Sequence, residues 1–128
     1  MGNIKSLILE RTVAYSLRVI KLYRVVQQDD VGRILGKQLL RSATSVGANV
    51  HEAQGGQSKA DFIAKLSIAH KEIWESAHWL RLIAEAGLVS PALLAELLNE
   101  TEQITKILSA ILLTSKRGKP SPASTPGP

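Results

Sequence analysis

Apolar residues recur at helical spacing along most of the chain, and the places where that spacing lapses cut it into four segments. From about residue 5 to 28 two stripes can be drawn at about 100° per residue: Val13, Leu17 and Ile20 on one, Tyr15, Val19, Leu22 and Val26 on the other. One stripe is enough for a bundle core, so the second needs separate cover, and another subunit is its natural source. Asp29 and Asp30 interrupt the pattern and are suited to cap a second helix over about residues 31–54. Leu39, Ala43, Val46, Val50 and Ala53 form the core stripe of that helix. Gly32, Gly36, Ala43, Gly47 and Ala48 thin its surface at a cost in helicity, which predicts a close approach by a neighbouring helix.

Gly55 and Gly56 end the second helix, and Ser58 followed by Asp61 reads as a capping-box variant opening a third, about residues 58–86. Its inner stripe is Phe62, Leu66, Ala69, Ile73, Ala77, Leu80 and Ala84, and Gly87 is its left-handed cap. Ser90-Pro91 marks the start of a fourth, about residues 91–115, with Leu94, Leu97, Thr101, Ile104, Leu108 and Ile111 inside. Four helices joined by short turns predict an all-α, up-down-up-down antiparallel four-helix bundle over residues 1–115. The remainder, KRGKPSPASTPGP at 116–128, has too little apolar surface to order itself and is expected to be a flexible basic Pro/Ser-rich tail.

Beside the core stripe of the second helix runs a polar row of Gln38, Ser42, Ser45, Asn49 and Glu52, and on its far side Arg33, Lys37 and Arg41 follow at i, i+4 spacing. Ser and Asn favour caps and turns over helix interiors. A whole row of them either satisfies itself in a close-packed buried network, the favoured reading, or is shown to a partner. Arg41 and Glu52 lie three turns apart on one helix, so each is expected to pair across helices or across subunits in a structural ion pair rather than with the other.

Composition narrows the classes. A chain of 128 residues forms one domain with a real core. It has no cysteine, hence no disulfide and no thiolate metal or redox site. No apolar run reaches the length of a membrane span, and MGNIKSLILERTV lacks the continuous apolar segment of a signal peptide, which points to a cytoplasmic protein with no membrane partner. The net charge of +5 is unevenly spread. Residues 1–41 hold eight basic and three acidic side chains (+5), residues 42–115 five and eight (−3), and the tail adds three basic ones. This asymmetry favours a polyanionic partner for the first two helices, and it is equally open to a basic face packing beside an acidic neighbouring subunit. Arg11, Arg18 and Lys21 share a narrow arc of the first helix with Arg24 close by, either as a solvated face or as a nucleic-acid footprint.

Catalytic chemistry finds little support. Glu75-x-x-His78 is one half of a di-iron carboxylate motif, but the residues three before His51 and His70 are Ala48 and Ser67, so no second half exists and no metal is expected. No nucleophile elbow and no phosphate-cradling Gly-rich loop are legible. Trp74, with Arg81 two turns on, reads as core or interface packing before it reads as a base-stacking platform.

The string QLLRSATSVGANVHEAQ, continued by QSKADFIAKLSIAHKE and preceded by LRVIKLY, resembles the bacterial four-helix-bundle family encoded in intervening sequences of 23S rRNA genes. The resemblance spans about residues 12–87 and fades over the last helix. More distantly, the family is similar to the accessory variability protein of diversity-generating retroelements. The resemblance implies a homo-oligomeric ring, a pentamer with a central pore, and for the retroelement relative a basic surface that meets nucleic acid and a reverse transcriptase. Transferred by basic character alone, that surface comprises Arg11, Arg18, Lys21, Arg24, Arg33, Lys37 and Arg41. Arg41, Ser42, Ser45, Asn49 and Glu52 match the family's own motif, with structural duty as their expected role. The expectation is therefore a non-catalytic, cofactor-free oligomeric bundle that binds RNA or DNA through phosphates. The alternative is a protein-interaction scaffold or an accessory subunit, for example of a reverse transcriptase.

Overall fold

A computed structural model describes residues 4–117. It contains four helices, α1 (Ile4–Val26), α2 (Asp30–Gln54), α3 (Lys59–Glu85) and α4 (Pro91–Arg117), with no strand among the described residues. The boundaries follow the local chemistry. Asp29 caps α2 by accepting from the backbone N–H of Val31 (3.1 Å) and Gly32 (3.0 Å), which satisfies two of the donors a helix start leaves unpaired. Ser58 caps α3 through the Asp61 N–H at 3.1 Å, but Asp61 makes no return bond, so only half of the expected capping box forms. At the other end of α3, Gly87 takes φ +70, and the Gly87 and Leu88 N–H groups reach back to Ala84 and Ile83 as a Schellman turn requires. At the start of α4 it is the Ser90 carbonyl that accepts, from Leu93 N–H, and the Ser90 hydroxyl takes no part. α4 runs two residues further than its apolar pattern, through Lys116 and Arg117. The rest of the expected tail lies outside the described residues.

Each helix packs on its chain neighbours and α4 closes back on α1, more loosely than the other three pairs meet; α1 and α3 are diagonal. The core takes Tyr15, Val19, Leu22 and Val26 from α1, with Ile8 and Thr12, and leaves Val13 (48% exposed) and Leu17 (56%) facing outward. The stripe expected for α2 is buried throughout. In α3 the buried line is rotated towards α2 relative to the apolar reading. Ser76 and Ile83 are fully buried, while Phe62, Ala77 and Ala84 sit at the margin. In α4, Leu112 takes the innermost place assigned to Ile111, which lies at the margin.

One layer of this core is polar, with a hydroxyl from every helix: Tyr15, Ser42, Ser76 and Thr101. Thr101 spends its proton on the Leu97 carbonyl at 2.6 Å, so the Tyr15 hydroxyl, 2.7 Å away, must be the donor of that pair. Ser42 and Ser76 lie 2.8 Å apart, and Ser76 stands near enough to Tyr15 to act on its proton affinity. Burial is nevertheless the larger influence and pushes the Tyr15 phenol up to about 12. No buried side-chain polar atom among the described residues lacks a partner.

Candidate nucleic-acid interface

The expected basic surface divides into two groups once the helices are packed. Arg11 forms a fork on Glu100 of α4, with Nε to Oε2 at 3.0 Å and Nη2 to Oε1 at 2.8 Å, and this hydrogen bonding raises its already high pKa. Arg18 meets Glu96, one turn earlier on α4, at 3.3 Å. Arg41 reaches across to α3, where Glu72 accepts at 3.5 Å and Glu75 also pairs with it. Glu75 is held below the usual carboxylate range, first by the Trp79 indole N–H at 3.0 Å and then by Arg41. Each of these three arginines bridges two helices, Arg11 and Arg41 through partly buried carboxylates and Arg18 through a solvent-exposed pair.

Lys21, Arg24, Arg33 and Lys37 are different. All four are exposed and none has a carboxylate or any other polar partner among the described residues. Gly32 lies against Val26, Gly36 against Tyr23 and Gly47 against Thr12, a register that sets Lys21 level with Lys37 and Arg24 level with Arg33 beside the connecting turn, with Lys21 on the flank of α1 that faces α4. The two acids of that turn are engaged with backbone, Asp29 as the cap and Asp30 on the Val31 N–H at 2.8 Å. Aliphatic residues stand among the cations, notably Leu17 and Ile34 (63% exposed). Next to them the loose α1–α4 seam opens a groove of about 380 Å³, floored by Leu22, Val25, Leu93 and Leu97 under Lys21 and the Arg18–Glu96 pair.

The family motif also divides. Ser42 is buried in the hydroxyl layer, while Ser45 and Asn49 are half-buried and bond each other, with Asn49 Nδ2 at 2.9 Å from the Ser45 carbonyl and 3.2 Å from its hydroxyl. Glu52 is exposed and pairs with Lys65 of α3 at 2.8 Å, which lowers its pKa. The polar row is therefore exposed at both ends, Gln38 and Glu52, and the expected close-packed buried network exists only at Ser42.

Sequence reasoning missed the acids that neutralise Arg11 and Arg18. Their signal was present, since Glu96 and Glu100 sit one turn apart just off the inner stripe of α4. Trp74 is 62% exposed on α3 beside a groove of about 310 Å³ against α4, with the His70 ring edge-on at 6.4 Å, so it is not a core residue of this bundle. No group of three or more His, Asp or Glu residues among those described is arranged to hold a metal ion, and Glu75 of the Glu75-x-x-His78 pair is engaged by Arg41 and Trp79. No described helix is long and apolar enough to cross a membrane.

The profile of the 23S rRNA-intervening sequence protein family matches residues 5–110, the whole bundle short of its last turns. The chain belongs to that family. Among solved structures, a protein of unknown function from the S23 ribosomal protein family of Bacteroides thetaiotaomicron is 33% identical and superposes with a TM-score of 0.82, over 88% of this chain and 100% of its own. No curated protein matches. Family membership carries the four-helix fold, and the family's function is itself unassigned, so the chemistry must be argued from the surface.

Proposed function

We propose that this family member is a non-catalytic, cytoplasmic helical-bundle protein that binds RNA or DNA through phosphates. The site is the outer face of α1 and α2 near their connecting turn. The observation that carries this reading is the contrast between two sets of cations. Arg11, Arg18 and Arg41 are matched by Glu100, Glu96 and the Glu72/Glu75 pair, while Lys21, Arg24, Arg33 and Lys37 are left exposed and level with one another. Exposed cations that have no carboxylate partner keep a positive potential that attracts an anion. The outward stripe of Val13 and Leu17, with Trp74 on the diagonally placed helix, supports self-association, and the resemblance supplies a pentameric ring. It also supplies a distant kinship with the retroelement accessory protein.

A gel-shift salt titration tests the binding. Neutralising up to four phosphates per subunit predicts retardation at low salt that vanishes as salt rises, with a logarithmic slope of no more than about −3.6 per subunit on a DNA duplex. No retardation even at low salt ends the proposal. Replacing Lys21 and Lys37 by Glu should abolish binding while the sedimentation coefficient and unfolding midpoint stay put. If the assembly dissociates instead, those residues belong to a subunit interface. A sedimentation coefficient of a lone chain would remove the oligomer.

The apolar floor of the α1–α4 groove favours a second reading, a protein-interaction scaffold or an accessory subunit, for example of a reverse transcriptase. Purification from the native host with and without nuclease separates the two, because a protein partner that stays after nuclease supports the scaffold.

A further inference from the structure

We infer that the groove between α1 and α4 takes an amphipathic helix from an acidic protein partner; the inference rests on the scaffold reading above and gives it a site. Of the four helix pairs this one meets most loosely. Leu22 and Leu97 are buried at the floor of the groove, while Val25 and Leu93 stand exposed at its edge. Covering those side chains is what an occupant gains. From Arg18 to Val25 the groove follows α1 for about 10 Å. Past Arg18 the seam opens again into a hollow of about 240 Å³ beside Arg11, Ala14 and Tyr15. From Glu10 to Val25 it therefore measures about 22 Å, the length of a helix of about 15 residues. A helix suits such a seam because its backbone bonds close within itself and its side chains at i, i+3, i+4 and i+7 interlock with the ridges of both walls. An extended segment would instead bring N–H and C=O groups to a floor of leucines that cannot bond them.

Charge at the rim decides which helix. Lys21 stands over the floor with no carboxylate partner among the described residues. Arg18 has only Glu96, in a solvent-exposed pair that a bound helix can part. A carboxylate on the flank of the incoming helix completes this rim, whereas a lysine there is repelled. A second copy of the chain has no acidic stripe to lay in the groove. Seven of its 11 acids are in ion pairs within the chain, and two more hold backbone N–H groups at the start of α2. That leaves Glu10, on the seam itself, and Asp61, in the first turn of α3. The acidic face must therefore come from another protein.

The test is a fluorescence-anisotropy titration of the full chain with a labelled helical peptide of about 15 residues, leucines on one face and glutamates on its flanks, and with a twin carrying lysine for every glutamate. At about 50 mM salt the glutamate peptide should bind about fivefold tighter or more, by a margin that narrows as salt rises. Lys21→Glu should reverse the order of the two peptides. Leu93→Asp, a change the first turn of α4 accepts, should weaken the glutamate peptide about tenfold or more. Leu98→Asp, on the opposite flank of α4 beside Trp74, should leave it unchanged. Equal binding of the two peptides, binding of neither, or loss in Leu98→Asp rather than in Leu93→Asp overturns the inference. So does an assembly that Leu93→Asp reduces to lone chains, which would give the groove to a second copy. Nuclease-treated purification from the native host, repeated with Leu93→Asp, keeps the two readings apart. A protein partner that the variant still retains removes the groove and leaves the scaffold, while no retained partner even with the parent chain ends the scaffold reading itself.

Discussion

Replacing glycine by alanine at three positions of α2 should change stability in opposite directions, although helix propensity favours the change at each by about 1 kcal/mol. At Gly47 an added Cβ would sit 3.6 Å from Ser16 Oγ, Thr12 Oγ1 and the Thr12 carbonyl, ordinary contact, so the propensity gain survives. Gly47→Ala is expected to stabilise by about 0.5–1 kcal/mol. At Gly36 the Cβ would meet Tyr23 Cδ1 at 2.8 Å and Val26 Cγ2 at 2.9 Å. Both are side-chain atoms, and half-buried Tyr23 can swing outward, so overpacking of about 1–3 kcal/mol outweighs the gain by a modest margin. At Gly32 the Cβ would lie 2.1 Å from the Val26 carbonyl oxygen, which no side-chain rotation relieves. The end of α1 or the start of α2 must move, and the Asp29 cap moves with it, adding about 1 kcal/mol to the overpacking for a loss of about 1–3 kcal/mol once the propensity gain is subtracted. For a domain of this size 1 kcal/mol corresponds to about 4 °C in Tm. Thermal melts by circular dichroism should therefore rank Gly47→Ala above the parent, then Gly36→Ala, with Gly32→Ala about 8 °C below the parent. Melts at two protein concentrations separate this from any change in self-association, since assembly makes Tm concentration-dependent. A Gly32→Ala chain that melts with the parent would refute the close α1–α2 approach, and with it the register that sets Arg24 level with Arg33.

The hydroxyl layer gives a second test. Ser42→Ala or Ser76→Ala alone leaves a buried partner short and should cost about 1–2 kcal/mol in urea unfolding, whereas the double variant should cost less than the sum, and strict additivity would mean the two do not interact. Tyr15→Phe takes the donor from Thr101 but leaves Thr101 on the Leu97 carbonyl, so a loss near 1 kcal/mol is expected, and one above about 3 would require a different hydrogen-bond arrangement. His70, beside Ser109 and the edge of Trp74, is pulled below the ordinary histidine value of about 6.5 first by burial and then by Lys116. The folded state thus favours the neutral ring, so the contribution is fully present above about pH 6.5 and declines as the pH falls through the lower folded-state pKa. His70→Gln should flatten that part of the stability profile, and an unchanged profile would show that His70 is not its source.

How far the fold could be read from the chain depended on whether the relevant physics was local. Caps, breaks and the α2 stripe are local: Asp29, Ser58, Gly87 and Pro91 act within a turn of their own position, and the helix ends fell within about two residues of the pattern. Choosing between the two stripes of α1 was not local. Val13 and Leu17 are as apolar as Val19 and Leu22, and only the Gly-lined surface of α2, which admits Tyr23 against Gly36, decides which side of α1 turns inward. Ser76 was invisible as a core residue for the same reason, because its burial is acceptable only where Ser42 of another helix supplies the partner. The basic surface followed the same rule. Seven cations on two helices look alike in sequence, and it took the packing of α4 on α1 and α3 on α2 to bring Glu96, Glu100, Glu72 and Glu75 to three of them. What separates a paired cation from an unpaired one here is the neighbouring helix, so Arg18 meets Glu96 while Lys21, three residues on, meets no carboxylate among the described residues. Reversing the charge of Arg18 should weaken the α1–α4 seam, whereas reversing that of Lys21 should weaken only the hold on an anion.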